Sequence, residues 1–170
     1  MLQIRHLQVT MKKDLRPLLE DLNFTLQPGD PAAIAGKMEE LMGNGKSTLL
    51  KLLYDPALAE PYAEWSGEIH REGMLLGYLP QELPPEAREL TAYEFCCQSP
   101  GFLDSSPNEQ ARAAAQLGFS PDLFYADRQM QTFSGGEKVK LQLGLLTLAR
   151  PDCCLLDEPS NDLDMETLEW

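Results

Sequence analysis

The sequence is short of positive charge: 14 Lys and Arg stand against 27 Asp and Glu, a formal net charge of −13. A surface of that sign repels a nucleic-acid duplex, which argues against a stand-alone nucleic-acid binder. Lys12-Lys13 is the only adjacent basic pair. Long apolar runs are also missing. No segment approaches the roughly 20 residues that a spanning helix needs, and residues 1–13 lack a secretory pattern. Any membrane involvement therefore has to come through a partner chain. Cysteine is limited to four residues, in two adjacent pairs, Cys96–Cys97 and Cys153–Cys154. Neither pair has the C-x-x-C spacing of a zinc or redox site. Buried or half-buried free thiols in a reducing compartment are the expectation, and with them a cytoplasmic location.

What remains is the composition of a globular domain. Over 170 residues, 43% are hydrophobic and 24% charged, enough for one domain with a real core. Residues 2–9 alternate apolar and polar, with a slip between Ile4 and Leu7, as in an edge strand. Residues 11–16 are charged and predict a hairpin, and 18–26 a second strand, closed by the turn signal Pro28-Gly29-Asp30. A short apolar strand is expected at 31–36. Residues 47–54 have a helical pattern with Leu49, Leu50, Leu52 and Leu53 available for burial. A further strand is expected at 73–79. Residues 82–132 differ in texture: many prolines, scattered aromatics and an alanine-rich helical stretch at 109–117, together a small helical insert. A helix from Ser134 and a buried strand at 153–156 follow. Strands alternating with helices predict an α/β domain with a mainly parallel sheet.

Gly43-Asn44-Gly45-Lys46-Ser47-Thr48 lies between the apolar strand and the leucine-rich helix. Glycines let backbone N–H groups wrap a phosphate without Cβ clashes, and a helix start adds partial positive charge. Lys46 reaches β- and γ-phosphates in such a loop, and the Ser47 hydroxyl ligates Mg²⁺. The alternative is a Gly-rich turn with Lys46 solvated. The complete G-x-x-x-x-G-K-[ST] pattern is not met, because Glu40 occupies the first glycine position. The strand-ending glycine, Gly36, sits nine positions before Gly45 instead of five. Four extra residues within 37–42 account for this, and they bring Glu39 and Glu40, which repel a triphosphate at close range. Either the extension loops outward and spares 43–48, or it spoils the first half of the cradle.

Three further segments carry chemistry. Ser134-Gly135-Gly136-Glu137 forms a capping box, with Ser134 as N-cap and Glu137 three residues on. The two glycines leave bare N–H groups in the first turn, which suits an anion. Val139, Leu141, Leu143 and Leu145 alternate as in a strand, yet the capping box favours a helix. Cys153-Cys154-Leu155-Leu156 is an apolar strand ending in Asp157 and Glu158. Asp157 is placed to hold Mg²⁺ through its hydration shell, and Glu158 to orient or deprotonate a water; the alternative is a strand meeting solvent with ordinary charges. Gln81, after Tyr78-Leu79-Pro80, can offer a carbonyl to Mg²⁺, or be any loop residue.

Taken together and in this order, the four segments resemble the ATP-binding-cassette (ABC) ATPase superfamily. Residues 133–137 are similar to its signature loop and Ser160-Asn161-Asp162-Leu163-Asp164 to its D-loop. The resemblance implies a P-loop NTPase-type fold: α/β, a mainly parallel sheet with an antiparallel edge and a small helical insert. It implies a single incomplete nucleotide-binding domain over 1–170, with the ATP-binding core in 1–81 and 133–170 and a helical subdomain in 82–132. It implies ATP and Mg²⁺ as ligands, with Gly36, Gly43, Asn44, Gly45, Lys46, Ser47, Thr48 and Gln81 binding ATP. Ser47, Gln81 and Asp157 would hold the metal, and Glu158 would be catalytic in ATP hydrolysis. Ser134, Gly135, Gly136 and Glu137 would contact a nucleotide held by a second ABC domain, in a homodimer or a tandem cassette. Glutamate at 137 and the run 158–164 resemble the ABC-F group, many of whose members act on ribosomes; a transporter cassette driving a membrane permease, or a non-catalytic nucleotide-binding fragment, are the alternatives. The family's adenine-stacking aromatic has no counterpart near 10–18. The chain ends twelve residues after Glu158 without the switch histidine, its only histidines being His6 and His70, so a truncated domain is the expectation.

Overall fold

A computed structural model describes residues 1–27 and 45–157. The expected strand at 31–36, the extension at 37–42, Gly36, Gly43, Asn44, Glu158 and the run 160–164 lie outside the described residues. Two compact units divide the chain, Met1–Leu76 and Gly77–Trp170.

The first unit is built on an antiparallel three-stranded sheet of order β2-β1-β3, from β1 (Leu2–Met11), β2 (Pro17–Leu26) and β3 (Ala63–Arg71). The slip read in β1 is a bulge. Leu2 and Ile4 are buried before it, Leu7 and Val9 after it, so one extra residue restores the inward face. That residue region carries the strain: His6 has φ 51 and faces Gly67, with φ 110, where an added Cβ would lie 2.5 Å from the His6 carbonyl oxygen. The bulged His6 N–H donates to Asn23 Oδ1 at 2.8 Å, and its ring pairs with Asp21 at 2.7 Å. β3 is an element that the sequence reading passed over. Only Ala63 of its nine residues is buried, so it has little apolar alternation to read. The charged stretch after β1 does turn back as a hairpin, closed by Met11 N–H donating to the Arg16 carbonyl at 2.9 Å. Helix α1 (Gly45–Tyr54) buries Leu49, Leu50, Leu52 and Leu53, the four leucines the pattern offered, each worth about 1.5–3 kcal/mol of transfer free energy.

The second unit holds a two-stranded sheet, β4 (Leu76–Leu79) with β5 (Cys153–Leu156). β4 starts three residues later than the expected 73–79, because Gly73 takes φ 60 and starts the chain in a turn. Between these strands run short helices α2 (Ala92–Cys96), α3 (Pro100–Asp104) and α4 (Pro107–Gln116), then the long α5 (Gly135–Ala149). Thr91 with Glu94, Ser106 with Glu109 and Ser134 with Glu137 form complete capping boxes on α2, α4 and α5.

α5 explains its own misleading alternation. Residues two apart on a helix lie about 200° apart, so a period of two produces opposite stripes. Leu141 and Leu145 pack into a core with Phe102, Phe124, Met130 and Phe133. Leu143, with Val139 and Leu146 beside it, packs with Leu79, Leu117 and Leu156. The helix is apolar on two faces because it separates two cores.

Candidate functional site

The phosphate-loop residues that are described form the first turn of α1. Gly45 and Thr48 are buried, Lys46 and Ser47 half-buried, and the turn contains no acidic residue. An added Cβ at Gly45 would sit 3.4 Å from the Leu18 carbonyl oxygen and 3.5 Å from Leu19 Cδ2. Those are ordinary contacts, so packing against β2 does not by itself demand a glycine there. The far end of α1 is neutralised from another element. Arg71, the last residue of β3, donates from its guanidinium to the carbonyls of Tyr54 at 2.6 Å and Leu52 at 3.0 Å. A cation at those terminal carbonyls complements the helix dipole.

In the second unit, β4 and β5 bring two site candidates to one edge. The Asp157 N–H donates to the Leu79 carbonyl at 3.0 Å. Both residues stand at C-terminal strand ends, so the two strands run in the same direction, and Gln81 follows two residues beyond Leu79. Asp157 is 4% exposed, with the Tyr78 hydroxyl 3.5 Å from its Oδ2. Gln81 is exposed. Oxygen donors of the Asp157 and Gln81 kind suit a hard cation.

The signature candidates open α5. The Ser134 Oγ accepts from the Glu137 N–H at 3.2 Å, and the Ser134 N–H donates to Glu137 Oε2 at 2.9 Å. Glu137 Oε1 in turn accepts from Arg128 Nη2 at 3.0 Å. The Ser134 N–H, with Arg128 beside it, holds the Glu137 carboxyl below the usual carboxylate range. Gly135 also lines a cleft of about 350 Å³ with Gln81, Arg88, Gln131, Lys138 and Gln142. Arg88 there pairs with Glu82 at 3.2 Å. Arg128 was missed from sequence: nothing in the run up to Ser134 marks it, because its partner lies nine residues on, across a 3₁₀ turn at Met130–Thr132.

The cysteines take no part. All four are free thiols, and burial with the neighbouring Cys97 pushes the Cys96 thiol up to about 12. Burial also raises Cys153 and Cys154, which disfavours the reactive thiolate. Among the described residues no three His, Cys, Asp or Glu side chains gather into a metal cage. A Mg²⁺ that keeps its waters and phosphate ligands needs only one or two carboxylates. No helix among the described residues is long and apolar enough to cross a membrane.

The family profile described as ABC transporter matches residues 19–161. The chain belongs to the ABC ATPase family. The cassette is 30% identical over 191 aligned residues to the energy-dependent translational throttle protein EttA of Haemophilus influenzae, covering 91% of this chain and 33% of that protein. It is 32% identical over 166 residues to the zinc import ATP-binding protein ZnuC of Haemophilus ducreyi, covering 97% of this chain and 57% of that one. Its relatives thus include ABC-F-type proteins as well as transporter subunits. The cassette spans only 28% and 22% of the length of two Escherichia coli ATP-binding proteins that it also matches, YbiT and YheS. Its fold is shared with the dimeric structure of MJ0796, a bacterial ABC transporter cassette, at a TM-score of 0.65 and 16% identity, covering 99% of this chain and 78% of that one. The expected P-loop NTPase-type α/β fold is therefore the fold of this chain.

Proposed function

We propose that this cassette binds ATP-Mg and hydrolyses it within a two-domain sandwich, in the manner of an ABC-F protein. The observation that carries the reading is the first turn of α1. Gly45, Lys46, Ser47 and Thr48 open a buried helix whose first turn has no carboxylate, the electrostatics that a bound phosphate requires. The Ser47 hydroxyl, the Gln81 carbonyl and the Asp157 carboxylate are all hard oxygen donors, the set that Mg²⁺ prefers. When bound, the metal would neutralise charge on the phosphates.

Each residue then has one task. Gly36, Gly43, Asn44, Gly45 and Thr48 supply the loop backbone, and the Lys46 ammonium draws the terminal phosphates. By the family resemblance, Ser47, Gln81 and Asp157 are the residues that would hold the metal. Glu158 orients the attacking water and accepts its proton. Ser134, Gly135, Gly136 and Glu137 face a nucleotide carried by a second ABC domain, either another copy or a tandem cassette. Residues 82–132 act as the helical subdomain and 1–81 with 133–170 as the ATP-binding core. The ABC-F assignment is supported by Glu137 and by similarity to EttA, whose name describes a translational throttle; a ribosome is then the partner, in the cytoplasm. The transporter reading rests on the similarity to ZnuC and would replace the ribosome by a membrane permease.

Phosphate release by the purified chain tests hydrolysis. Wild type is expected to turn over ATP-Mg slowly, and Glu158→Gln to fall by on the order of a hundredfold or more. Turnover that Glu158→Gln leaves intact removes Glu158 from the chemistry. ATP-Mg binding without turnover in wild type favours a non-catalytic nucleotide-binding role.

A further inference from the structure

We propose that Arg128 is a positioning residue of the signature loop: its guanidinium neutralises Glu137, so that the helix start at Gly135 and Gly136 can accept a phosphate. The proposal rests on the reading above that this helix start meets a nucleotide.

The physical problem is local. A capping box works with either glutamate or glutamine at the third helical position, but glutamate adds a negative charge within one turn of the expected anion. Unscreened, that charge opposes phosphate. Here both carboxylate oxygens are engaged, Oε2 by the Ser134 N–H at 2.9 Å and Oε1 by Arg128 Nη2 at 3.0 Å. Arg128 does not arrive as a loose surface cation. Its guanidinium lies 3.7 Å from the centre of the Phe133 ring, and Phe133 is only 3% exposed. The residue just before the signature serine therefore provides a fixed platform for the cation that neutralises the signature glutamate. The neighbouring Lys138 has its ammonium 3.4 Å from the Gln131 carbonyl, and Arg88 is paired with Glu82, whereas Arg128 pairs with Glu137.

The pair is partly open to solvent, with side chains 46% and 41% exposed. Its effect is therefore modest and sensitive to salt. Arg128→Met keeps an apolar stem over Phe133 while removing the charge, and Glu137→Gln removes the need for it.

The test is a double-mutant cycle read on the Gly135 and Gly136 amide resonances as inorganic phosphate, and separately ATP-Mg, is titrated into the full chain. Arg128→Met is expected to weaken the response about fivefold in the wild-type background and by less than about twofold beside Glu137→Gln. Arg128→Lys should recover part of the loss, since it restores charge without the planar stack. An equal loss in both backgrounds would mean that Arg128 acts by packing on Phe133, and would overturn the proposal, as would no loss in either. The Glu137 carboxyl titration, followed by side-chain NMR without any ligand, separates this from the proposed function. If the wild-type glycine amides ignore both anions, the nucleotide-facing role of the loop fails. A carboxyl that titrates alike in wild type and Arg128→Met then overturns the neutralisation by itself.

Discussion

The starts of α1 and α5, both pointed at phosphate by the family resemblance, are built in opposite ways. α1 opens on glycine, lysine, serine and threonine, with no acidic residue in its first turn. Its matching charge sits at the other end, where Arg71 donates to the Leu52 and Tyr54 carbonyls. α5 opens by spending Ser134 and Glu137 on each other and then recruits Arg128 to neutralise the acid. One start keeps its electropositive character unopposed within its own turn. The other is stable by itself and answers to a charge partner outside it. The difference teaches where ligand dependence should appear: under the proposed function α1 would gain from a bound phosphate, whereas α5 is already capped.

Changes at the two helices should break or sharpen this contrast. The largest concerns the far end of α5. An added Cβ at Gly101 would lie 2.6 Å from Ala149 Cα and 2.7 Å from its nitrogen, so backbone must shift. Gly101→Ala should cost about 1–3 kcal/mol in urea unfolding, and a neutral result would mean that α3 can slide freely along α5. Next, Ser134→Ala removes the α5 cap and should cost about 1 kcal/mol, with amide exchange accelerated in the first turn of α5 and unchanged in α1. Arg71→Met tests the opposite end of the opposite helix. Its loss should be smaller, about 0.3–1 kcal/mol, and should shrink in high salt.

Acid supplies a further contrast. Glu94, Glu109 and Glu137 are each held below their ordinary value of 4.5, chiefly by the N–H of their own capping residue. A folded pKa below the unfolded one gives stability that is complete above about 4.5 and is lost as pH falls through the folded value. The starts of α2, α4 and α5 should therefore fray as the pH falls below 4.5, seen as faster amide exchange. The first turn of α1, which has no such carboxylate, should not follow them.

Much of this organisation was legible in the sequence, for reasons that can be named. The leucines of α1, the capping box at Ser134 and the acid-tipped strand at 153–156 are local signals, and local signals survive without a fold. The slip in β1 was visible as well, although only Gly67 opposite His6 explains it. β3 was not read, because a strand with one buried residue and a central glycine carries almost no periodicity. The alternation in α5 pointed the wrong way until its two cores were seen. Lys46, Ser47, Gln81 and Asp157 stand out as candidates from motif context alone. Arg128 was not, because its role depends on a pairing and a ring contact that only the folded chain creates.

Calorimetry with ATP-Mg on wild type, Lys46→Ala and Ser134→Ala tests the account at its centre. Binding heat that disappears in Lys46→Ala and persists in Ser134→Ala is the predicted result, with the α1 start as the primary phosphate site of the chain. Equal heats from wild type and Lys46→Ala would contradict it.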